Sequence, residues 1–308
     1  MSLETPVGFF VFNRPDTTQR VFHEIARARP ATLLVVGDGP RCDRPGEAER
    51  VAATRAIIDQ VNWPCEVLTN YAEENLGCKR RVTSGLSWIF EAFEEAIILE
   101  DDCLPNPTFF TFCHDLLRRF RDDHRIVSIS GSNFQSGKSR TQYSYYFSKY
   151  FHCYGWASWK RVWERFDPEM ESWTGFQNED CLAQLCDSRN EQSYWQRIFE
   201  LQHGGQIDSW AYPWLYSCWT QNGLTAIPDV NLVSNIGFRE DGTHTKTDSP
   251  LAALATQPIE TIEHPRYLVR NKQADQYTFT RVYPRPRGLR KWARSIKKRW
   301  PTTRQRAA

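Results

Sequence analysis

The sequence predicts an α/β fold in which a mainly parallel sheet is covered on both faces by helices. From Val7 to Ser130, short apolar runs alternate with longer amphipathic stretches. Strands that alternate with helices of this length are typical of parallel sheets. The composition agrees, because 308 residues with 40% hydrophobic and 25% charged side chains suit a globular protein with a sizeable core.

Each apolar run is interpreted as a strand and each amphipathic stretch as a helix. In chain order, the predicted strands are Val7 to Phe12, Thr32 to Val36, Cys65 to Thr69, Ala96 to Leu99 and Ile126 to Ser130. The helices predicted between them are Asp16 to Arg29, Glu47 to Val61, Cys78 to Phe93 and Thr108 to Arg121. Further along we expect a strand in Arg140 to Tyr150, helical spacing of Trp156, Trp159 and Trp163, and a helix from Ser209 to Gln221.

Polar or small residues follow four of the strands, at the edge where sheets of this kind bind ligands. These residues are Asn13-Arg14, Gly37-Asp38-Gly39, Glu100-Asp101-Asp102 and Gly131-Ser132-Asn133. Gly, Asp and Asn also form turns, which is the alternative explanation of any single loop. Four such loops on one edge favour a nucleotide site.

Glu100-Asp101-Asp102 is the most informative of these loops. Mg²⁺ and Mn²⁺ prefer oxygen ligands and commonly take one or two protein carboxylates, leaving other positions to phosphates and water. A cation held there can neutralise a departing diphosphate. The alternative is a solvated loop or a cap for the helix that follows. A cap does not require three acids.

Gly131 to Ser139 nearly spells the phosphate-binding pattern G-x-x-x-x-G-K-[ST]. The spacing is one residue too long, and a strand is predicted where the motif requires a helix. We therefore do not interpret this segment as a P-loop.

The cysteines and the N-terminus predict a cytoplasmic protein. The nine cysteines include no C-x-x-C pair, so reduced thiols are expected instead of a zinc site or a disulfide framework. The sequence from Met1 to Pro6 has no basic region, and we expect neither a signal peptide nor a membrane span.

The C-terminal segment is strongly basic. Ten of the 39 basic residues lie between Arg285 and Arg306, where no acidic residue occurs, so the rest of the chain is acidic. The apolar residues of this segment share one helical face, namely Leu289, Trp292, Ala293, Ile296 and Trp300. This pattern predicts a basic amphipathic helix that binds the inner face of an anionic membrane. A flexible basic tail is the alternative, and nucleic-acid binding is disfavoured by the acidic body.

Several segments together carry a family resemblance. They are Phe12-Asn13-Arg14-Pro15, Asp38, Asn75-Leu76-Gly77, Ile98 to Phe110, Tyr154 to Trp159, Asp208-Ser209-Trp210, Asn231 to Phe238 and Gly242 to Thr245. In this combination the chain resembles the nucleotide-diphospho-sugar glycosyltransferases of the GT-A fold. The likeness is to N-acetylglucosaminyltransferase I and its bacterial family-2-like, hemolytic-protein-like relatives, and the triple acid is its most specific part.

The resemblance implies roles for the acidic cluster and its surroundings. Asp102 is the expected metal ligand, and His244 is a second candidate whose imidazole suits Mn²⁺ better than Mg²⁺. Asp101 is expected near the donor ribose or sugar, and Glu100 near the donor or bracing the loop. Asp38 resembles the acid that accepts hydrogen bonds from the nucleotide base.

Further donor contacts are expected on the neighbouring loops. Asn13 and Arg14 lie where the first loop holds the nucleotide, and a guanidinium can grip phosphate bidentately. Asn133 lies on another loop of the same edge. Either Arg80 or Arg81 is expected to face the diphosphate, with surface solvation as the alternative for the pair.

An inverting transferase also needs a base on the acceptor side. The resemblance points to Asp208, although Ser209 stands where the animal enzyme has a second acid. The alternative for Asp208 is a helix N-cap, and Glu179-Asp180 is the reserve candidate for the base. Gly155 and Trp156 are expected to form a wall for the acceptor or the donor sugar.

The predicted organisation is a GT-A domain over residues 1–245, a C-terminal extension over 246–283 and the basic tail over 284–308. The nucleotide-binding half covers about 1–135 and the acceptor half, an α+β region, about 136–245. The expected activity is metal-dependent, inverting transfer from a UDP-linked sugar to a glycan or lipid-linked acceptor in surface polysaccharide synthesis. The alternatives are a sugar nucleotidyltransferase and a catalytically inactive glycan-binding or membrane-scaffold protein.

Overall fold

The predicted alternation of strands and helices is present in the computed structural model, which describes residues 2–238, 249 and 251–283. The strands are β1 (Val7–Val11), β2 (Thr32–Gly37), β3 (Glu66–Tyr71), β4 (Glu95–Glu100), β5 (Cys103–Pro105), β6 (Ile126–Ser130), β7 (Tyr145–Ser148), β8 (Trp156–Trp159), β9 (Leu224–Pro228) and β10 (Val233–Asn235). The helices are α1 (Pro15–Ala28), α2 (Glu47–Ala56), α3 (Cys78–Ala92), α4 (Thr108–Arg119), α5 (Lys160–Trp163), α6 (Trp173–Asn178), α7 (Cys181–Leu185), α8 (Arg189–His203), α9 (Ala211–Thr220) and α10 (Lys272–Val282).

Within the described residues, eight of the strands form one mixed sheet in the order β3-β2-β1-β4-β8-β6-β9-β7. The pairs β3–β2, β2–β1, β1–β4 and β6–β9 are parallel, whereas β8 is antiparallel to both of its neighbours. Every residue of β1 and β6 is buried, as expected of strands whose two faces are both covered. The predicted fold class, a mainly parallel sheet flanked by helices, is confirmed.

Strand direction decides which loops share an edge of the sheet. Because β4 and β6 are both antiparallel to β8, they run in the same direction, and β1 and β2 run parallel to β4. The segments that follow these four strands therefore leave the sheet at one edge. These are the four polar loops that the sequence placed at a ligand-binding edge.

Two elements differ from the sequence prediction. The helix expected from Glu47 to Val61 ends as α2 at Ala56, and a 3₁₀ turn over Ile57–Gln60 follows. The helix predicted from the spacing of the tryptophans was wrong for Trp156 and Trp159, which lie in β8. Both are buried because β8 lies between β4 and β6, where side chains on either face of the sheet are covered.

A small second sheet was not predicted. β5 pairs antiparallel with β10, so that Cys103 lies opposite Asn235 and Pro105 opposite Val233. The pairing brings residues 233–238 back against the acidic cluster from a distance of more than a hundred residues along the chain.

The C-terminal helix α10 is docked on the body of the protein. The side-chain amide of Gln135 donates to the carbonyl of Ala274 and to Thr278 Oγ1, at 3.2 and 2.9 Å. Asp275 is fully buried and accepts hydrogen bonds from Ser148 Oγ and Arg270 Nε. The helix therefore ties part of the predicted extension over 246–283 to the sheet.

No helix among the described residues combines the length and the apolar character needed to cross a membrane. The predicted basic helix over 284–308 and the candidate metal ligand His244 both lie outside the described residues.

Candidate active site

Two loops meet at the carboxyl edge of the sheet, one after β1 and one after β4. The backbone N–H of Phe12 donates to Asp101 Oδ2 at 3.1 Å. Arg14 Nη1 lies 3.0 Å from Asp102 Oδ2 and forms a partly buried ion pair with it. Neighbouring parallel strands thus bring together Arg14 and the acids that the sequence identified.

Asp102 is also held from the side of β10. Asn235 Nδ2 donates to Asp102 Oδ1 at 3.3 Å, and the N–H of Ile236 donates to the Asp102 carbonyl at 2.8 Å. The backbone of Gly237 approaches so closely that a Cβ at this position would lie 2.0 Å from Asp102 Oδ2. Asn235 and Gly237 are site residues that sequence reasoning missed, although both lie in a segment that carried the family resemblance.

The other two acids of the cluster are poorly compensated. Burial, followed by the charge of Asp102, raises the pKa of Glu100 to about 8 and that of Asp101 to about 7. Arg14 works in the opposite direction on both groups but does not outweigh these effects. Three acids next to one guanidinium favour an additional positive charge at this site.

The donor set suits a hard cation that keeps several of its ligands from solvent or phosphate. Within the described part of the chain, no three His, Cys, Asp or Glu side chains converge as a ready-made metal cage. Mg²⁺ and Mn²⁺ do not need such a cage, because one or two carboxylates and substrate phosphates complete their coordination. Asp102, with Glu100 or Asp101 beside it, supplies carboxylates of the required kind.

Asn13 is fixed by a buried carboxylate at the start of α2. Asn13 Nδ2 donates to Glu47 Oε1 at 2.8 Å, and Arg41 pairs with the same side chain through its guanidinium and its backbone N–H. The hydrogen bond with the Arg41 side chain is the main reason that the pKa of Glu47 falls to about 2. The Arg41 guanidinium carbon also lies 5.6 Å from the centroid of the Phe12 ring. The loop after β1 is therefore tethered to α2.

Asp38, the acid predicted to contact the nucleotide base, accepts hydrogen bonds from the protein itself. Its Oδ1 accepts hydrogen bonds from the N–H groups of Gly39 and Leu76, both at 2.9 Å. Its Oδ2 accepts from the N–H of Gly77 at 3.1 Å and from Asn75 Nδ2 at 3.0 Å. Since a carboxylate has about four acceptor positions, Asp38 is fully used in holding the loop before α3.

The arginine pair at the start of α3 is divided between two environments. Arg81 is 6% exposed, and its guanidinium donates to the carbonyls of Gly37 and Asn70. Burial lowers its pKa. Arg81 therefore braces β2 and β3, where its guanidinium is engaged by backbone carbonyls. Arg80 is exposed, so of the two it is the one whose guanidinium is accessible to an anion.

The side chain of Asn133 also forms hydrogen bonds with the protein's own backbone. Its Nδ2 donates to the carbonyl of Pro228 at 2.7 Å, and its Oδ1 accepts from the N–H of Gln135 at 2.8 Å. With 6% of its surface exposed, the side chain closes the loop after β6. The donor contact expected of Asn133 stays a prediction.

Trp156 is not a wall of an open site. It is 1% exposed, and its ring stacks on Trp210 with centroids 5.8 Å apart. Gly155 has a φ of +66° and lies against Val233, where a Cβ would come within 2.7 Å of a side-chain carbon. Both residues are packed in the core, and they support β10 and the segment that carries Asp208.

Asp208 is exposed, and its charge acts on the same thiol as the charges of the acidic cluster. The pKa of the Cys78 thiol, at the start of α3, is raised to about 12. Burial is the largest cause, followed by the charges of Glu100, Asp208, Asp38 and Asp102. The charges of carboxylates from three segments of the chain therefore act on one thiol.

The alternatives for the base can be compared with the structure. Ser209 Oγ, not Asp208, accepts a hydrogen bond from the N–H of Ala211 at the start of α9, so Asp208 is not the helix cap. In the reserve pair Glu179-Asp180, Asp180 accepts from Gln192 of α8 at 2.9 Å. Asp208 remains the predicted base.

The fold and site define an α/β protein with a partly buried acidic cluster at the carboxyl edge of its sheet. No family model and no curated protein matches the chain. Among solved structures, it is similar to a UDP-glucose pyrophosphorylase complexed with UDP-glucose, at 10% identity and a TM-score of 0.31, over 53% of this chain and 78% of that chain. It is also similar to a 4-diphosphocytidyl-2C-methyl-D-erythritol synthase from Anaerococcus prevotii DSM 20548, at 9% identity and a TM-score of 0.34, over 57% of this chain and 83% of that chain.

Both of these neighbours are nucleotidyltransferases, the class that the sequence suggested only as an alternative. Their identities and TM-scores are too low to indicate a reaction for this chain.

Proposed function

We propose that the protein is an enzyme that acts on a nucleotide sugar, and that it transfers the sugar to an acceptor with inversion at the anomeric carbon. The observation that carries the proposal is the ion pair of Arg14 with Asp102, next to Asp101, where β1 and β4 end. The charges of this cluster and of Asp208 act on the same thiol, that of Cys78. The donor is proposed to be UDP-linked, and the acceptor a glycan or a lipid-linked saccharide.

The residues divide into a donor side and an acceptor side. Asp102, with Glu100 or Asp101, would hold Mn²⁺ or Mg²⁺, which when bound supplies Lewis-acid neutralisation of the departing diphosphate. The guanidinium of Arg14 pairs with Asp102, and on donor binding it can pair with a phosphate oxygen instead. Asp208 takes the proton of the acceptor hydroxyl while the oxygen attacks the anomeric carbon and the bond to the diphosphate breaks.

Sugar nucleotidyl transfer is the second candidate, because it is the other reaction on nucleotide sugars that the sequence suggested. Such enzymes normally open with a Gly-rich, basic phosphate loop after the first strand. Here the connection from β1 to α1 is Phe12-Asn13-Arg14, which contains no glycine. Arg14 instead pairs with Asp102. This loop favours glycosyl transfer.

The deciding experiment follows the products formed from UDP-sugars. A glycosyltransferase releases UDP, by transfer to an acceptor or by slow hydrolysis, in a reaction that depends on Mn²⁺ or Mg²⁺. A nucleotidyltransferase forms UTP and sugar 1-phosphate when pyrophosphate is added. Binding without either product would indicate the inactive glycan-binding or scaffold alternative.

Asp102→Ala is expected to lower the rate of UDP release by about a hundredfold or more. The substitution removes the carboxylate that is proposed to hold the cation, which stabilises the diphosphate charge in the transition state. Asp122→Ala, at an exposed acid before β6 and so at the opposite edge of the sheet, is the matched control and should retain activity. If no UDP-sugar raises the melting temperature with either cation, the proposal fails. Retention of anomeric configuration, seen by NMR of the product, would remove Asp208 from its role.

The basic segment 284–308 belongs to this proposal as a membrane anchor. It would hold a cytoplasmic enzyme at the inner face of the membrane, where lipid-linked acceptors are found. The support is its composition, with ten basic residues and no acid from Arg285 to Arg306.

A further inference from the structure

Three cationic side chains surround one tyrosine ring on the side of the molecule where α10 packs. Lys138 Nζ lies 5.2 Å from the centroid of the Tyr277 ring. The guanidinium carbons of Arg140 and Arg281 lie 4.8 and 5.6 Å from the same centroid. Lys138 and Arg281 are exposed. These four residues, Lys138, Arg140, Tyr277 and Arg281, are called the Tyr277 patch below.

The cations of the patch are not neutralised by other described side chains. No ion pair within 4.0 Å joins any of the three to an acid in the described part of the chain. Arg140 Nε donates to Gln135 Oε1 at 2.6 Å, and the nearby Asp229 accepts from the backbone N–H of Arg140. A hydrogen bond with Ser136, followed by the three cations, lowers the pKa of Tyr277. The patch therefore presents a net positive charge to solvent.

The position of the patch in the fold and along the chain is informative. Lys138 and Arg140 lie on the segment that follows β6, which leaves the sheet at the same edge as the acidic cluster. Arg281 is in the last turn of α10, directly before the 25 residues from 284 to 308. The basic segment therefore begins beside a basic surface of the folded body, although the body as a whole is acidic.

We propose that the Tyr277 patch is a docking surface for an anionic lipid membrane. Each basic side chain near such a surface strengthens binding about fivefold, so the three cations reinforce whatever the basic segment contributes. Tyrosine suits the headgroup region because its ring is apolar and its hydroxyl is polar. An acidic body is repelled by the same membrane, so it approaches through this patch. The proposal does not depend on which reaction takes place at the acidic cluster.

Charge reversal in the full-length protein tests the proposal. The variant is Lys138→Glu with Arg281→Glu, and the matched control is Arg20→Glu with Arg189→Glu, two exposed cations on α1 and α8. Binding is measured by co-sedimentation with vesicles of phosphatidylcholine and phosphatidylglycerol, and with vesicles of phosphatidylcholine alone. Both pairs change the net charge by the same amount, so a difference between them reports on position.

Wild type is expected to bind the anionic vesicles and not the neutral ones. The patch variant should bind at least about 25-fold more weakly, whereas the control should lose much less, because charges beyond a Debye length of about 10 Å are screened. Equal losses in the two variants, no loss in the patch variant, or equal binding of wild type to both vesicles would overturn the proposal. So would nucleic-acid binding by wild type without binding to anionic vesicles.

A second measurement on wild type avoids any effect of the substitutions on folding. Hydrogen exchange with mass spectrometry should show slower exchange in peptides covering 136–141 and 272–282 when anionic vesicles are added. Peptides from α1 and α8 should exchange as before. Unchanged exchange in both patch peptides, at vesicle concentrations that sediment the protein, would contradict a role for the patch.

Discussion

Arg14 forms an ion pair with Asp102. For Glu100 and Asp101, burial and the charge of Asp102 outweigh the attraction of Arg14. The Arg14–Asp102 distance is 3.0 Å, and the raised pKa values of Glu100 and Asp101, about 8 and about 7, reflect burial next to another carboxylate. A carboxyl group with a raised pKa in the folded state keeps its proton as pH rises, and a divalent cation must displace that proton. Cation binding at this site is therefore coupled to pH.

We expect the melting-temperature gain from Mn²⁺ to grow as pH rises through the pKa values of about 7 and about 8. Without cation the sign is opposite, because neutral carboxyls favour the folded state at low pH and that contribution is lost as pH rises through the folded pKa. Differential scanning fluorimetry over this range, with and without Mn²⁺, measures both effects. Glu100→Gln removes one titrating group and should flatten the pH dependence. A gain from Mn²⁺ that does not change with pH would contradict the coupling.

At the scale of elements, the connection between β3 and α3 depends on one side chain. Asp38 accepts two backbone N–H groups of this connection, from Leu76 and Gly77, and one side-chain amide from Asn75. It also lies directly after β2, so the end of one strand fixes the start of α3, where Cys78 is subject to the charges of the acidic cluster. The position of Cys78 and the surrounding carboxylates follows from this arrangement.

Asp38→Asn should destabilise the protein, because an amide replaces an oxygen acceptor with an N–H₂ group and leaves buried donors unpaired. The expected cost is about 1–3 kcal/mol in the free energy of unfolding. For a chain of this size, that corresponds to a fall of about 2–4 °C in melting temperature per kcal/mol. Asp43→Asn, at an exposed position, is the control and should change little. Equal stability of Asp38→Asn and wild type would show that the four hydrogen bonds do not hold this connection.

The sequence predicted the elements better than the contacts of individual side chains. Alternation of apolar and amphipathic segments is a local signal, so the strands from β1 to β6 other than β5 were found, together with the cluster after β4. The β5–β10 pair and the contact of Asn235 with Asp102 join positions far apart in sequence, and no local pattern encodes them.

Polar residues at strand ends can either bind a ligand or hold a loop, and residue type alone does not distinguish these two roles. Asp38, Arg81 and Asn133 were predicted to bind a donor, but the structure uses their hydrogen-bonding groups to fix loops. A carboxylate or amide in such a loop satisfies backbone groups as readily as a ligand. Only the count of occupied acceptors and donors distinguishes the two uses.

At the scale of the whole molecule, the two predicted halves share one sheet. β8 belongs to the predicted acceptor half over 136–245, yet it lies between β4 and β6 of the nucleotide-binding half. Removing β8 would expose the edges of both neighbours and uncover apolar residues on each face. The halves are therefore expected to unfold together.

We expect one cooperative transition in denaturant. Eight of the twelve tryptophans lie between Trp156 and Trp219, so fluorescence reports mainly on the acceptor half. Cys113 on α4 is fully buried in the other half, and its alkylation, followed by mass spectrometry, reports on that half. The two midpoints should coincide, as one cooperative unit requires. Cys42 is exposed and should react without unfolding, which controls for reagent access. Separate midpoints for fluorescence and Cys113 would mean that the halves are independent units despite the shared sheet.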